Sequence, residues 1–445
     1  MRCFALLLLL PGLVLADDLE KKIDRLAQPY VSHGIVVGLV VGVYDGESKR
    51  VFGYGHVKLG GTTVPDGNTV YEIGSITKVF TGILLASMVQ SGEVRLEQPV
   101  SELVPEAVVP KNGDRIITLE HLSTHTSALP RMPSNFRPKD PSNPYADYTV
   151  EQMYEFLRTC SLSRDPGVQH AYSNLGAGLL GHALSLKAGQ SYEALMIERV
   201  AGPLKMNSTR VEFTPEMRKR LAPGYTAALT PQSNWDIPTL AGAGAIRSTA
   251  NDMLTFLVAN LSGGDTPLAK AMAMAHQVHF QGKGPRMGLG WHIDNELRWH
   301  NGQTGGYHSF AGVHFPKKRA VVVVTNAGTG HVDQLARNVG NLLLGKPVKP
   351  HEWKQTVKID AKILDSYAGD YQLTPQFVLT VTHEKGRLMV QATNQPKLPV
   401  FPESETKFFY RTVKARIVFQ KDGDGKVTGL VLHQHGAEMP AKKIR

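Results

Sequence analysis

The stretch YEIGSITKVFTG, residues 71–82, places Ser75 at what reads as the first turn of a helix, with Lys78 three residues later. Positions i and i+3 of a helix share a face, so the hydroxyl and the amine would be neighbours. A serine hydroxyl is a weak nucleophile at its own pKa, whereas a lysine desolvated among other cations can lose its proton and act as a base. An N-cap serine followed by a solvated lysine gives the same spacing, since both residues are common at helix starts. The rest of the chain has to separate the two readings.

With 445 residues, 42% of them hydrophobic, there is enough apolar material for two or three domains and a large core. The first residues, MRCFALLLLLPGLVLADD, combine Arg2, an apolar stretch from Phe4 to Leu15 and small residues before Asp17. Residues 1–16 therefore read as a secretory signal cut after Ala16, and a periplasmic or secreted location is expected. No later run of about eighteen apolar residues predicts a membrane span. With Cys3 in the signal, Cys160 is left alone. That removes an internal disulfide and argues against thiol or zinc-thiolate chemistry, so no cofactor and no metal is expected.

The net charge of +10 is uneven: residues 346–445 hold 17 Lys and Arg against 10 Asp and Glu. Such a tail reads first as a solvated sheet edge guarded by lysines, and also suits an anionic surface such as cell-wall polymer or lipid headgroups. No basic-aromatic motif of a nucleic-acid module is present, so nucleic acid is not an expected partner.

A short amphipathic helix over about Leu19–Leu26 is followed by GIVVGLVVGVYDGESKRVFGYGHV (34–57), two strands joined at Asp45-Gly46. Helical periods then take over in TKVFTGILLASMVQSGEV, TLEHLSTHT, VEQMYEFLRTC and LGAGLLGHALSLKAG, separated by Pro- and Gly-rich loops. Strands return in GLGWHI, LRWHNG, YHSFAGVHF and RAVVVVTNAG, and HVDQLARNVGNLLLG closes the region as a helix. Strand, helices, strand predicts a sheet interrupted by a helical part, with a cleft between them. The sheet part spans about 17–74 and 285–345, and the helical part about 75–284. Residues 346–358 read as a Pro/Lys-rich linker and 359–445 as a small all-β barrel, with hairpin turns at Lys385-Gly386 and Asp422-Gly423. The fold class expected is α+β.

Two later stretches bear on Ser75. PGVQHAYSNLGAGLLG (166–181) carries Tyr172-Ser173-Asn174, and RWHNGQTGGYHSFAGVHFPKKRAVVVVTNAG (298–328) carries His300-Asn301-Gly302 at the start of a strand. Taken in order, S-x-x-K at Ser75 to Lys78, Y-x-N at Tyr172 to Asn174 and H-x-G at His300 to Gly302 resemble the motifs of one serine hydrolase superfamily. It is that of class C β-lactamases and low-molecular-weight penicillin-binding peptidases of the D-alanyl-D-alanine carboxypeptidase type. STHTSALP (123–130) and TGGYHSF (304–310) resemble landmarks of the same family. The resemblance covers about residues 25–345, and the C-terminal part more weakly resembles the lipocalin-like barrels appended to such hydrolases.

The resemblance implies Ser75, Lys78 and Tyr172 as catalytic residues. Ser75 would be acylated, Lys78 would hold or relay its proton, and Tyr172, its phenol pKa lowered by Lys78, would act as general base and then protonate the leaving group. It implies Asn174, His300, Asn301, Gly302 and Gln303 as substrate-binding, with the backbone N–H groups of Ser75 and Gln303 as the oxyanion hole. His121, His125 and His170 read as structural. The third triplet departs from class C β-lactamases, which usually carry lysine where this chain has His300; histidine with an ordinary pKa of about 6.5 is mostly neutral at pH 7. The expected substrates are small molecules or peptides: a β-lactam, a D-amino-acid peptide or an ester. A carboxylesterase of the same fold and a penicillin- or peptidoglycan-binding protein that acylates without turnover stand as alternatives.

Overall fold

The computed structural model describes residues 11–105, 109–352, 354–384, 386–395, 397–411 and 413–445. Most of the expected signal, residues 1–10, and the expected turn residue Lys385 lie outside the described residues. Two compact units divide at His351/Glu352, within the stretch read as a linker.

In the first unit a seven-stranded antiparallel sheet is built from β1 (Gly38–Tyr44), β2 (Lys49–Gly55), β3 (Arg286–Met287), β4 (His292–Asp294), β5 (Leu297–Gln303), β6 (His308–His314) and β7 (Arg319–Thr325), in the order β2-β1-β7-β6-β5-β4-β3. The β1–β2 turn forms because Asp45 Oδ1 accepts from the N–H groups of Glu47 and Ser48, while Gly46 takes φ +95°. Leu39 pairs with Thr325, so strands almost 290 residues apart close one sheet around the intervening helices. Helix α1 (Pro11–Ser32) is longer than the sequence predicts and runs through Ala16.

The Val-rich strands are buried on both faces, as expected where helices cover a sheet. Helix α4 (Ala250–Ser262) places Leu254 against the face of Gly42 and Val322, and α5 (Val332–Leu343) covers the opposite face, that of Val321. Helix α2 (Thr77–Gln90) is apolar on all sides and buried from Thr77 to Met88. It is therefore a core element, which fixes the position of anything on its first turn. Helix α3 (Asn174–Ala188) is capped by the Ser173 hydroxyl, which accepts from Gly176 N–H, and ends at Gly189 in the left-handed region.

The second unit is a closed antiparallel barrel of eight strands, β8 (Gly369–Thr374), β9 (Phe377–Glu384), β10 (Arg387–Ala392), β11 (Lys397–Pro402), β12 (Lys407–Tyr410), β13 (Ala415–Lys421), β14 (Val427–Gln434) and β15 (Ala437–Lys443). Its interior is filled by Tyr367, Tyr371, Phe408 and Phe419 among aliphatic residues. The Asp422 carboxylate accepts from Asp424 and Lys426 N–H to form the β13–β14 hairpin.

Candidate active site

Ser75 occupies a single 3-10 turn, Gly74–Ile76, that leads straight into α2. No side chain caps either start; the Ser75 hydroxyl instead lies 3.0 Å from Lys78 Nζ, which rules out the capping role for this serine. Lys78 is 2% exposed, and its Nζ is also 3.0 Å from Asn174 Oδ1 and 2.6 Å from the Ala243 carbonyl. Burial, and then the charge of Arg131, hold its pKa well below the usual lysine range. A neutral amine donates two hydrogens and keeps a lone pair. Lys78 Nζ donates to Asn174 Oδ1, the Ala243 carbonyl and the Ser75 hydroxyl oxygen; loss of its proton would leave a lone pair facing the Ser75 O–H.

The phenol of Tyr172 completes the group. Its ring centroid is 4.9 Å from Lys78 Nζ and 4.4 Å from the His125 ring centroid. Burial pushes its pKa up to about 12, against opposing contributions from a hydrogen bond with Ser75 and from Arg131. The expectation of a lowered phenol pKa is therefore corrected: desolvation penalises the phenolate and outweighs the neighbouring groups that favour it. The phenol therefore stays protonated near neutral pH and is able to donate. His125, read as structural, accepts Ser173 N–H at Nδ1 and so steadies the Y-x-N segment from below. Asn174 is the first residue of α3 rather than its cap, which turns its amide toward Lys78 and, at 3.5 Å, the Tyr145 hydroxyl.

The third triplet lies at the end of β5, hard against the Ser75 turn. A Cβ on Gly302 would fall 1.9 Å from the Ile73 carbonyl oxygen and 2.8 Å from Ser75 N, and one on Gly74 would fall 2.7 Å from Gln303 N. Two glycines thus let the main chains of Ser75 and Gln303 approach, as a pair of N–H donors for one oxygen requires. His300 is 1% exposed behind this wall, with Nδ1 on the Asn301 carbonyl and its ring 6.3 Å from that of Tyr172. Burial holds its pKa well below the usual histidine value, so it is neutral. Asn301 donates to Asp333, which also pairs with His308 at 2.8 Å, and His308 reaches Gln303 Oε1 at 3.0 Å.

Ser75, Tyr172, Asn174, Asn301, Gly302 and Gln303 line one cleft of about 500 Å³, with Lys78 and His300 beneath its surface. Arg131, Tyr145, Trp235, His292 and His308 also line it and were not singled out by sequence reasoning. Arg131 had one available signal, its place directly after the STHTSALP landmark. The Ala243 carbonyl had none, being main chain.

This arrangement, a hydroxyl 3.0 Å from a buried amine where the main chains of Ser75 and Gln303 approach, is that of a serine hydrolase. The chain belongs to the Beta-lactamase family, whose model matches residues 23–346. A second model, Domain of unknown function (DUF3471), matches residues 354–444. D-alanyl-D-alanine-carboxypeptidase/endopeptidase AmpH of Escherichia coli (strain K12) is 32% identical over 285 residues, 60% of this chain and 72% of that protein. Penicillin-binding protein 4* of Bacillus subtilis (strain 168) is 24% identical over 436 residues, 92% of this chain and 95% of that protein. The crystal structure of a beta-lactamase/D-alanine carboxypeptidase from Yersinia pestis matches with a TM-score of 0.64 at 25% identity, covering 74% of this chain and 98% of that one.

Proposed function

We propose that this serine hydrolase opens amide bonds next to D-amino acids or in β-lactams through an ester on Ser75. The observation that carries the reading is the 3.0 Å contact between Ser75 Oγ and the buried Lys78 amine, whose pKa burial holds well below the usual lysine range. Ser75 Oγ attacks the carbonyl carbon while its proton passes to Lys78. The negative oxygen that forms is held by the N–H groups of Ser75 and Gln303, each worth roughly 3 to 4 kcal/mol of barrier in such sites. As the C–N bond breaks, Tyr172 gives its proton to the leaving nitrogen and regains one from the Lys78 ammonium. Water then attacks the ester by the same route in reverse. Asn174 fixes the Lys78 amine and faces the substrate carbonyl.

Relatives named as β-lactamase and as D-alanyl-D-alanine-carboxypeptidase/endopeptidase support this substrate class. A second reading, a carboxylesterase using the same residues, is favoured by the neutral His300 where class C β-lactamases usually carry lysine. The same proposal takes residues 1–16 as an export signal and the working location as periplasmic or secreted; sequencing of the exported protein should then begin at Asp17. The central test is intact mass after incubation with benzylpenicillin. Wild type should gain one acyl adduct and Ser75→Ala none. An equal adduct on both, or none on either, removes the proposal, and turnover of p-nitrophenyl butyrate alone selects the esterase.

A further inference from the structure

Recognition of a substrate carboxylate needs a cation, and the third triplet supplies none, because His300 is buried and neutral. Lys78 is occupied beneath the cleft floor by Ser75, Asn174 and Ala243. Among the described residues lining the cleft, Arg131 is the one permanent cation, and no aspartate or glutamate lines it. Its guanidinium carbon lies 5.1 Å from the centroid of the Tyr172 ring, so the charge stands beside the reacting group. None of the ion pairs among the described residues includes it, and its side chain is exposed at the cleft. The residue is nonetheless fixed at its root: the Arg131 carbonyl accepts from Asn174 N–H at 3.0 Å and Leu175 N–H at 3.3 Å, at the start of α3. A tethered backbone carrying a planar fork of unpaired donors is suited to a planar anion.

We infer that Arg131 is the specificity-determining residue that receives the free carboxylate of the substrate, a role that a third-triplet lysine would otherwise fill from the strand wall. The inference rests on the proposed function and names the feature of the substrate that this cleft selects: an anionic group beside the scissile amide. Substitution of the side chain leaves its carbonyl, and hence the α3 anchor, intact.

The test compares diacetyl-L-lysyl-D-alanyl-D-alanine with its C-terminal amide in wild type, Arg131→Gln and Arg131→Lys. Charge-assisted bonds of this kind are worth roughly ten- to hundredfold in affinity. At a pH above the acidic limb of each protein, Arg131→Gln should lower the preference for the free acid over the amide, read as the ratio of their KM values, by about that factor, and Arg131→Lys should recover part of it. Because Arg131 also lowers the Lys78 pKa, Arg131→Gln should move the acidic limb of the kcat/KM profile to higher pH. Calorimetric binding of the same pair to Ser75→Ala reads the preference without turnover. A wild type that forms no Ser75 adduct defeats the proposed function, whereas wild type or Ser75→Ala with no preference for the acid, or equal losses on both peptides in Arg131→Gln, overturns the role of Arg131.

Discussion

The two walls of the cleft do their work with different parts of the chain. On the helical wall, Ser75, Lys78 and Asn174 meet at 3.0 Å through side-chain atoms, with Tyr172 alongside. On the strand wall, the contacts that matter to Ser75 are main-chain ones at Gly302 and Gln303, while His300 is buried and Asn301 is tied to Asp333. The difference explains how His-Asn-Gly can stand where class C β-lactamases usually carry lysine. A wall that acts through backbone atoms constrains where the strand runs and requires the glycine, but leaves neighbouring side chains open to change.

The comparison breaks most visibly at Gly302. Gly302→Ala must push β5 away from the Ser75 turn, because the new methyl would overlap the Ile73 carbonyl oxygen. Loss of the Gln303 donor should lower kcat/KM by roughly 10²–10³ in a protein whose melting temperature shows it still folded. Retention of full activity would mean that the strand wall is not the oxyanion site.

The pH profile sharpens the division between Lys78 and His300. In the proposed mechanism the Lys78 amine works unprotonated, and burial holds its pKa down, so kcat/KM should rise with pH through that lowered value and stay level until Tyr172 titrates near about 12. His300→Gln should leave the acidic limb in place; a limb that disappears assigns it to His300. The smallest effect is on rate: His300→Gln should cost less than roughly tenfold in kcat/KM, since His300 lies outside the cleft surface.

Much of this was legible because the signals are local. The α+β class follows from strands at both ends of a helical stretch, and the Asp45-Gly46 turn, the Gly189 stop and the β13–β14 hairpin are set by nearby residues. Ser75, Lys78, Tyr172 and Asn174 could be named from motif spacing. Their pKa shifts could not, because the burial that lowers Lys78 and raises Tyr172 arises from residues scattered along the whole unit. The position of His300 was also hidden: strand alternation assigns a face but not what covers it. Arg131, His308 and Asp333 enter only when α3, β6 and α5 come together around β5.

One consequence concerns the barrel. The sequence left open whether its lysines guard an exposed strand edge, but β15 pairs with β8, Tyr371 opposite Lys443, and the ring is complete. A cylinder without a free rim has no ladder to extend, so recruitment of another chain by β-augmentation is closed to it. Any partner of this module would meet its side chains and its turns, not a strand edge.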